Sequence, residues 1–497
     1  MAQHDGVNEI NGVNGHLSNG HHDGGIPATQ ALAHFATSAR TSALTPALEE
    51  KVKEVLLDFI GVTVGAIQHA DSTTPIVNAI SALQGPTVTK SSPGVCTVLG
   101  QGEPHFLPQY AGLLNAALAH SLDFDDTYAA GTLHAGVTSI SAALAQTEAL
   151  AQSGNAPTPD ELMLAIAVGY EVTCRLGREL GYEAYSRGFH NTSTAGIFGS
   201  IAAMAVLKRS TVQTVEMAFG LAGSKAAGSM QYLDNGSWNK RLHPGFAVHD
   251  AFMCMALAEA GVIGATRIIE GKNGFLKAYS PNADVSLHRL VDSLGTEWEF
   301  LASSLKPYPA CRMTHAFIEP AGNLHEERSK AAGASSADEK DIESVVLYMS
   351  PANFILVGDP TPNKRHPSNV IDAQFSAYFQ VANALLYGAK TGDMSPYSRL
   401  QDPAIHRLTD KISVEVDDSM SGFAAKMAVK WAGGQTVRAE QQYPLGEVQH
   451  PLTRDKVEEK FLALAVPVYG EKRAAEVVRQ VSQLEQVDLT HFMQLLR

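Results

Sequence analysis

The chain has 497 residues, is 45% hydrophobic and 18% charged, and carries a formal net charge of −14 from 37 Lys plus Arg against 51 Asp plus Glu. Such a composition builds a large core over two or more domains; an acidic balance without a basic stripe argues against a nucleic-acid surface, and no uninterrupted apolar run reaches membrane-spanning length. An anionic small molecule stays open, because exposed charge is screened over about 8 Å at physiological salt and a few cations in a pocket outweigh a distant acidic surface.

Residues 1–26 are rich in Gly, Asn, His and Asp. They bury too little surface to offset their ordering entropy and read as a disordered tail. No Lys or Arg precedes Arg40, which argues against a presequence, and His21 and His22 read as solvated rather than as a metal site. Cys96, Cys174, Cys254 and Cys311 form neither a C-x-x-C pair nor an iron–sulfur spacing, as in a reduced, cytoplasmic protein.

From 27 to 303 the pattern is helical. Thr45-Pro46 reads as an N-cap with proline at the first helical position, opening a helix with Val52, Val55, Leu56, Phe59 and Ile60 on its apolar face. Thr158-Pro-Asp-Glu161 and Ser210-Thr-Val-Gln213 have the form of capping boxes ahead of two further helices. Gly61, Gly65, Gly196, Gly199, Gly220 and Gly223 allow close helix approach, so this part is expected to be a tightly packed bundle.

Within it, His120-Ser-Leu-Asp-Phe-Asp-Asp-Thr-Tyr-Ala-Ala-Gly-Thr-Leu-His134 sets three carboxylates between histidines, flanked by apolar helices over Tyr110–Leu122 and Gly136–Leu150. Buried carboxylates are costly unless paired or functional, so the junction is a candidate site. Asp125 and Asp126 rank below Asp123, as helix caps or supporting acceptors.

At Ser304-Leu-Lys-Pro-Tyr-Pro-Ala-Cys-Arg312 the texture changes. A helix over Thr314–Glu327, a polar stretch Lys330–Lys340, a helix over Asp372–Leu386 and strands at Glu343–Met349, Ile412–Val416, Met427–Trp431 and Thr436–Gln441 make a smaller α+β domain, 304–444. Past Pro451 the chain is helical again, with Thr453 as cap and Val457, Phe461 and Leu464 on one face. Residues 445–497 are expected to return to the first domain. The fold class is therefore mainly α, a large helical domain of 27–303 with an inserted smaller α+β domain.

Five ordered segments carry a resemblance: His120–Asp126, Gly188-Phe-His-Asn-Thr-Ser193, Trp238-Asn-Lys-Arg-Leu-His-Pro-Gly-Phe-Ala247, Lys306-Pro-Tyr-Pro-Ala310 and Asp372-Ala-Gln-Phe-Ser-Ala-Tyr378. Together they resemble the MmgE/PrpD family, which includes 2-methylcitrate dehydratases, cis-aconitate decarboxylases and an iminodisuccinate epimerase. The resemblance implies a helical domain plus a lid, a site between them, a homodimer and no cofactor or metal. It places active-site residues at Asp123, Thr127, His134, His190, Lys240 and Lys306. A lid tyrosine of some decarboxylases has no secure counterpart, with Tyr308 and Tyr348 the nearest candidates.

The chemistry of these side chains agrees. A di- or tricarboxylate needs charge-assisted partners from several directions, which Lys240, Lys306, His190 and the adjacent Arg241 supply, with Thr127 as a hydroxyl contact. His134 is the candidate proton carrier, since imidazole titrates near neutrality, and Asp123 is expected to orient it or hold its charged form. His243 and His249 read as structural. Decarboxylation of a cis-aconitate-type acid, alkylated or not, fits best. Dehydration of a 2-methylcitrate-type acid and epimerisation stay open, as do two readings of another class: a magnesium site for diphosphate chemistry at Asp123-Phe-Asp-Asp, and a non-catalytic binding protein.

Overall fold

The computed structural model describes residues 27–86, 88, 92, 94–281, 285–332 and 338–497. The tail 1–26, with His21 and His22, and part of the polar stretch 330–340 lie outside them. The architecture is mainly α with a smaller α+β part. Buried apolar side chains form two clusters. One draws on residues between Ala28 and Leu305 and again between Leu452 and Leu496; the other lies between Tyr308 and Trp431.

The helical part follows from local signals. Thr45 accepts the Leu48 N–H, and Pro46 opens a helix that runs Pro46–His69. Thr158 and Glu161 close a capping box ahead of the helix Pro159–Ser186, so two of the four orphan donors at that end are satisfied reciprocally. At the other expected box the cap is Thr211, not Ser210: its hydroxyl takes the Thr214 N–H at 3.1 Å and the helix is Val212–Ala222. The helix Asn191–Lys208 lies at the centre, packed on Gly136–Gln152, Pro159–Ser186 and Asn239–Glu259. Gly199 allows the closest approach, since a Cβ there would stand 1.9 Å from Thr173 Oγ1 and 2.5 Å from the Gly169 carbonyl. The C-terminal helix Arg454–Tyr469, capped by Thr453, packs back on Pro46–His69.

The smaller part holds a four-stranded sheet in the order Ile412–Val416, Ile342–Met349, Ala425–Trp431, Thr436–Gln441, with the first pair parallel and the others antiparallel. Ala425, Met427, Val429 and Trp431 alternate inward along one strand, the period-two pattern of a half-buried sheet. Helices His315–Ala332 and Ala377–Tyr387 pack against each other beside it. The expected helix over Asp372–Leu386 is broken. A short helix Val370–Gln374 ends at Phe375, and Ser376 caps the next by accepting the Phe379 N–H at 2.9 Å. A small antiparallel hairpin, Cys96–Val98 with Gln101–Phe106, was not foreseen.

The two parts meet at the 120–134 loop. Thr127 and Ser304 exchange backbone hydrogen bonds at 2.8 Å, and Gln374 Nε2 reaches the Leu122 carbonyl at 2.7 Å. No helix among the described residues is long and apolar enough to cross a membrane.

Candidate active site

A cavity with about 510 Å³ of empty space opens where these parts meet, lined among others by Asp123, Thr127, His134, His190, Lys240 and Lys306. Six expected side chains from four segments thus share one cavity. Arg241 does not. It was expected to join Lys240 as a carboxylate partner, but the segment is helix from Asn239, so successive side chains diverge by about 100°. Its guanidinium goes to Asp71 Oδ1 at 2.6 Å and Ser72 Oγ at 2.7 Å, outside the cavity lining.

Asp123 is the anchor of one side. Its φ of 50° is in the left-handed region, uncommon for a residue with a Cβ and a frequent mark of functional loops. Lys306 Nζ donates both to its backbone carbonyl at 2.8 Å and to Oδ1 at 3.1 Å, and Lys240 Nζ donates to the same Oδ1. Burial alone would push the Asp123 carboxyl up, but Lys240 and Lys306 more than reverse this and hold it well below the usual carboxylate range. Burial likewise lowers Lys240, and Asp123 overcomes it, so the net shift of the ammonium is upward. Both partners are therefore charged at neutral pH. Lys240 also faces the Phe375 ring, 5.2 Å from its centroid.

The other side is built on Asp125. Its Oδ2 lies 2.8 Å from His120 Nδ1 and 3.0 Å from His134 Nδ1. The partner of His134 is thus Asp125 rather than Asp123, which the lysines occupy. With Nδ1 facing the carboxylate at 3.0 Å, Nε2 is the nitrogen His134 has left for a ligand. Burial lowers the His134 pKa; Asp125 opposes this, Lys306 and Lys240 reinforce it, and the net shift is downward. His120, which sequence reasoning left out, stacks edge-on to His134 with centroids 4.6 Å apart, and burial takes it down to about 4. His190 caps the start of the central helix, and its Nδ1 is 3.1 Å from His243 Nδ1. That contact needs at least one neutral ring, and burial depresses both, His243 to about 4. His249 instead stacks on Tyr110 and pairs with Asp250.

No cation among the described residues forms an ion pair with Asp126. Its carboxylate accepts the Gly136 N–H at 3.1 and 3.3 Å, fixing the start of the next helix so closely that a Cβ on Gly136 would meet Asp126 Oδ1 at 2.3 Å. Burial, then the charges of Asp125 and Asp58, push its carboxyl up to about 8. Behind it, Lys460 pairs with Asp58 at 2.5 Å and donates to the Phe124 carbonyl at 2.7 Å, so the C-terminal helix holds the loop from below.

Thr127 lines the cavity, with its hydroxyl 2.9 Å from Ser304 Oγ. Neither Tyr308 nor Tyr348 lines it. Tyr308 packs on His315, and Tyr348 sits in the sheet opposite Glu415 and Lys426. The tyrosines on the wall are Tyr128 and Tyr185, joined by Arg312, Cys311 and Phe375. Asp123 Oδ2, Asp125 Oδ1, His120 Nε2, His134 Nδ1 and Arg312 Nη2 are buried without a well-aligned hydrogen-bond partner among the described residues, a pattern that calls for a ligand or ordered water.

The acidic run does not make a magnesium cradle, since its three carboxylates turn to lysines, to imidazoles and to a helix end. The group spaced for a metal is His120, Asp125 and His134, whose ligand atoms lie within 4.8 Å of one another. Its fit is poor: the carboxylate oxygen is already at hydrogen-bond distance from both Nδ1 atoms, so an ion would have to displace both contacts.

Two family models match, the MmgE/PrpD N-terminal domain over residues 30–288 and the MmgE/PrpD C-terminal domain over 308–486. The chain belongs to the MmgE/PrpD family. Among its curated relatives is a cis-aconitate decarboxylase of Aspergillus terreus, 26% identical, with 94% of this chain and 95% of that protein aligned. A human cis-aconitate decarboxylase is 25% identical over 93% and 92%, and the cis-aconitate decarboxylase-like protein oryM of Aspergillus oryzae 24% over 94% and 97%. The C-terminal family model runs into helices that pack on the first core, so the family's two sequence halves do not coincide with the two cores.

Proposed function

We propose that this MmgE/PrpD protein is a lyase for citrate-derived polycarboxylates, and that its reaction is decarboxylation of a cis-aconitate-type acid. The observation that carries the reading is the pairing of Lys240 and Lys306 on buried Asp123 beside His134, in one cavity. Each ammonium has three donors, so both lysines keep N–H groups for substrate carboxylates while Asp123 fixes their positions. The three relatives above, named for cis-aconitate decarboxylation or likeness to it, support the same choice.

In this mechanism the bond to the allylic carboxylate breaks and carbon dioxide leaves. The bond's electron pair forms the new double bond, and the old double bond's pair takes a proton at the vinylic carbon. His134 Nε2 delivers that proton as imidazolium, with Asp125 holding Nδ1–H, and the lysines stabilise the charge that develops. The polyanion itself offsets the burial and lysine charge that depress His134, so substrate binding charges the imidazole when the proton is needed. Solvent then reprotonates it. A homodimer belongs to the same proposal.

Purified protein incubated with cis-aconitate and 2-methylcitrate, read by mass spectrometry, tests this. Loss of carbon dioxide from the first supports it. Loss of water from the second would make the protein a dehydratase, and recovery of both acids unchanged would reject the reading.

A further inference from the structure

A second cavity, with about 1500 Å³ of empty space, adjoins the first and shares Ala129, Thr132, Met313 and Phe423 with it. The two differ in chemistry. The inner one holds Lys240, Lys306, Arg312 and the imidazoles of His134 and His190, whereas among the described residues no Lys, Arg or His lines the outer one. The single charged residue there among those described is Glu447, whose carboxylate accepts from Arg312 Nε at 2.6 Å and from Ser304 Oγ at 3.3 Å. The rest of the wall is neutral and largely apolar, with Tyr182, Pro351, Ala352, Met420 and Tyr443 facing it from both parts of the fold. Tyr182 and Tyr443 are 41% and 46% exposed, apolar surface left uncovered next to a site that grips charge.

From this juxtaposition we infer that the outer cavity is a subsite for a hydrocarbon chain borne by the acid, so that the preferred substrate is an alkylated tricarboxylate. The inference rests on the polycarboxylate reading of the inner cavity. A carboxylate has no cationic partner in the outer cavity and a paired carboxylate to repel it, which orients the molecule: acid groups inside, chain outward past Ala129 and Phe423. Flexible thioethers at Met313 and Met420 adapt to such a chain.

The test compares cis-aconitate with a series carrying straight alkyl chains of increasing length, on the full chain and on Ala352→Trp. Ala352 lines only the outer cavity. Each buried methylene is worth about 0.8 kcal/mol, so kcat/KM is expected to rise about fourfold per carbon over the first few carbons. Ala352→Trp should erase that rise and leave turnover of cis-aconitate and the melting temperature unchanged. A kcat/KM that is flat or falls with chain length, or a rise that survives Ala352→Trp, overturns it while the decarboxylase reading stands. Failure to convert any acid of the series removes both.

Discussion

Asp123 and Asp126 share one loop, stand three residues apart, and are both buried, yet they lie on opposite sides of the ordinary carboxylate range. Two ammonium groups hold Asp123 far below it, and a single backbone N–H leaves Asp126 at about 8. Asp125, between them, is held well below by two imidazoles. Burial is common to all three; the partner decides the charge. The loop therefore presents a fixed anion that organises lysines, a second that organises histidines, and a neutral acid that fastens a helix.

The comparison is broken most severely at the proton carrier. His134→Asn should keep the fold and lower kcat by about 10²–10⁴-fold, the usual worth of a positioned general acid, as measured by turnover alongside circular dichroism. Next, Lys306→Ala leaves Asp123 with one cation in a dry setting and should cost about 3–5 kcal/mol of stability in denaturant unfolding. Adding Asp123→Asn to that variant should recover part of the loss.

The two carboxyls should then separate by the sign of their pH dependence. Asp123 has a lowered folded pKa, so its contribution is present above the unfolded value and is lost as pH falls; the cost of Asp123→Asn should shrink on acidification. Asp126 is raised to about 8, so the folded state keeps a proton the unfolded chain releases and stability declines as pH rises through that window. Asp126→Asn should therefore gain stability relative to the native protein at about pH 8 compared with about pH 5, in thermal melts at each pH. A smaller effect is expected in the free enzyme: kcat/KM should fall as pH rises through an imidazole pKa below the ordinary histidine value. Least of all, Arg241→Ala should change turnover by less than about threefold, because that guanidinium serves Asp71 and Ser72.

Much of the fold was legible where chemistry is local. Thr45-Pro46, the Thr158–Glu161 box and the β-branched run Ile412–Val416 announce themselves within a few residues. The break at Phe375–Ser376 does not, because an apolar helical period continues across it and only the fold supplies the second partner of Ser376, the Lys364 carbonyl. Nor does the Cys96–Phe106 hairpin, whose short strands carry no alternation. At the site, the family resemblance of five ordered segments indicated what comes together, since Lys240, Lys306 and His134 are far apart in the chain and no local spacing joins them. It did not say which carboxylate serves which base. That choice depends on the left-handed backbone at Asp123, which turns its carbonyl as well as its carboxylate toward Lys306. His120 falls in the candidate stretch but is given no role there, because a histidine closing an apolar helix is ordinarily a structural group, and Tyr185 lies in a polar helix end, Glu183-Ala-Tyr-Ser-Arg187, that carries no local mark of a site.

The central claim is that His134 hands a proton to the carbon skeleton of a polyacid held by Lys240 and Lys306. The most direct measurement is turnover of cis-aconitate in deuterium oxide by the native protein and by His134→Asn, with the product analysed by mass spectrometry and NMR. The account predicts loss of carbon dioxide with one deuterium at the former vinylic carbon, suppressed in the variant; a decarboxylated product formed at the native rate by His134→Asn would contradict it.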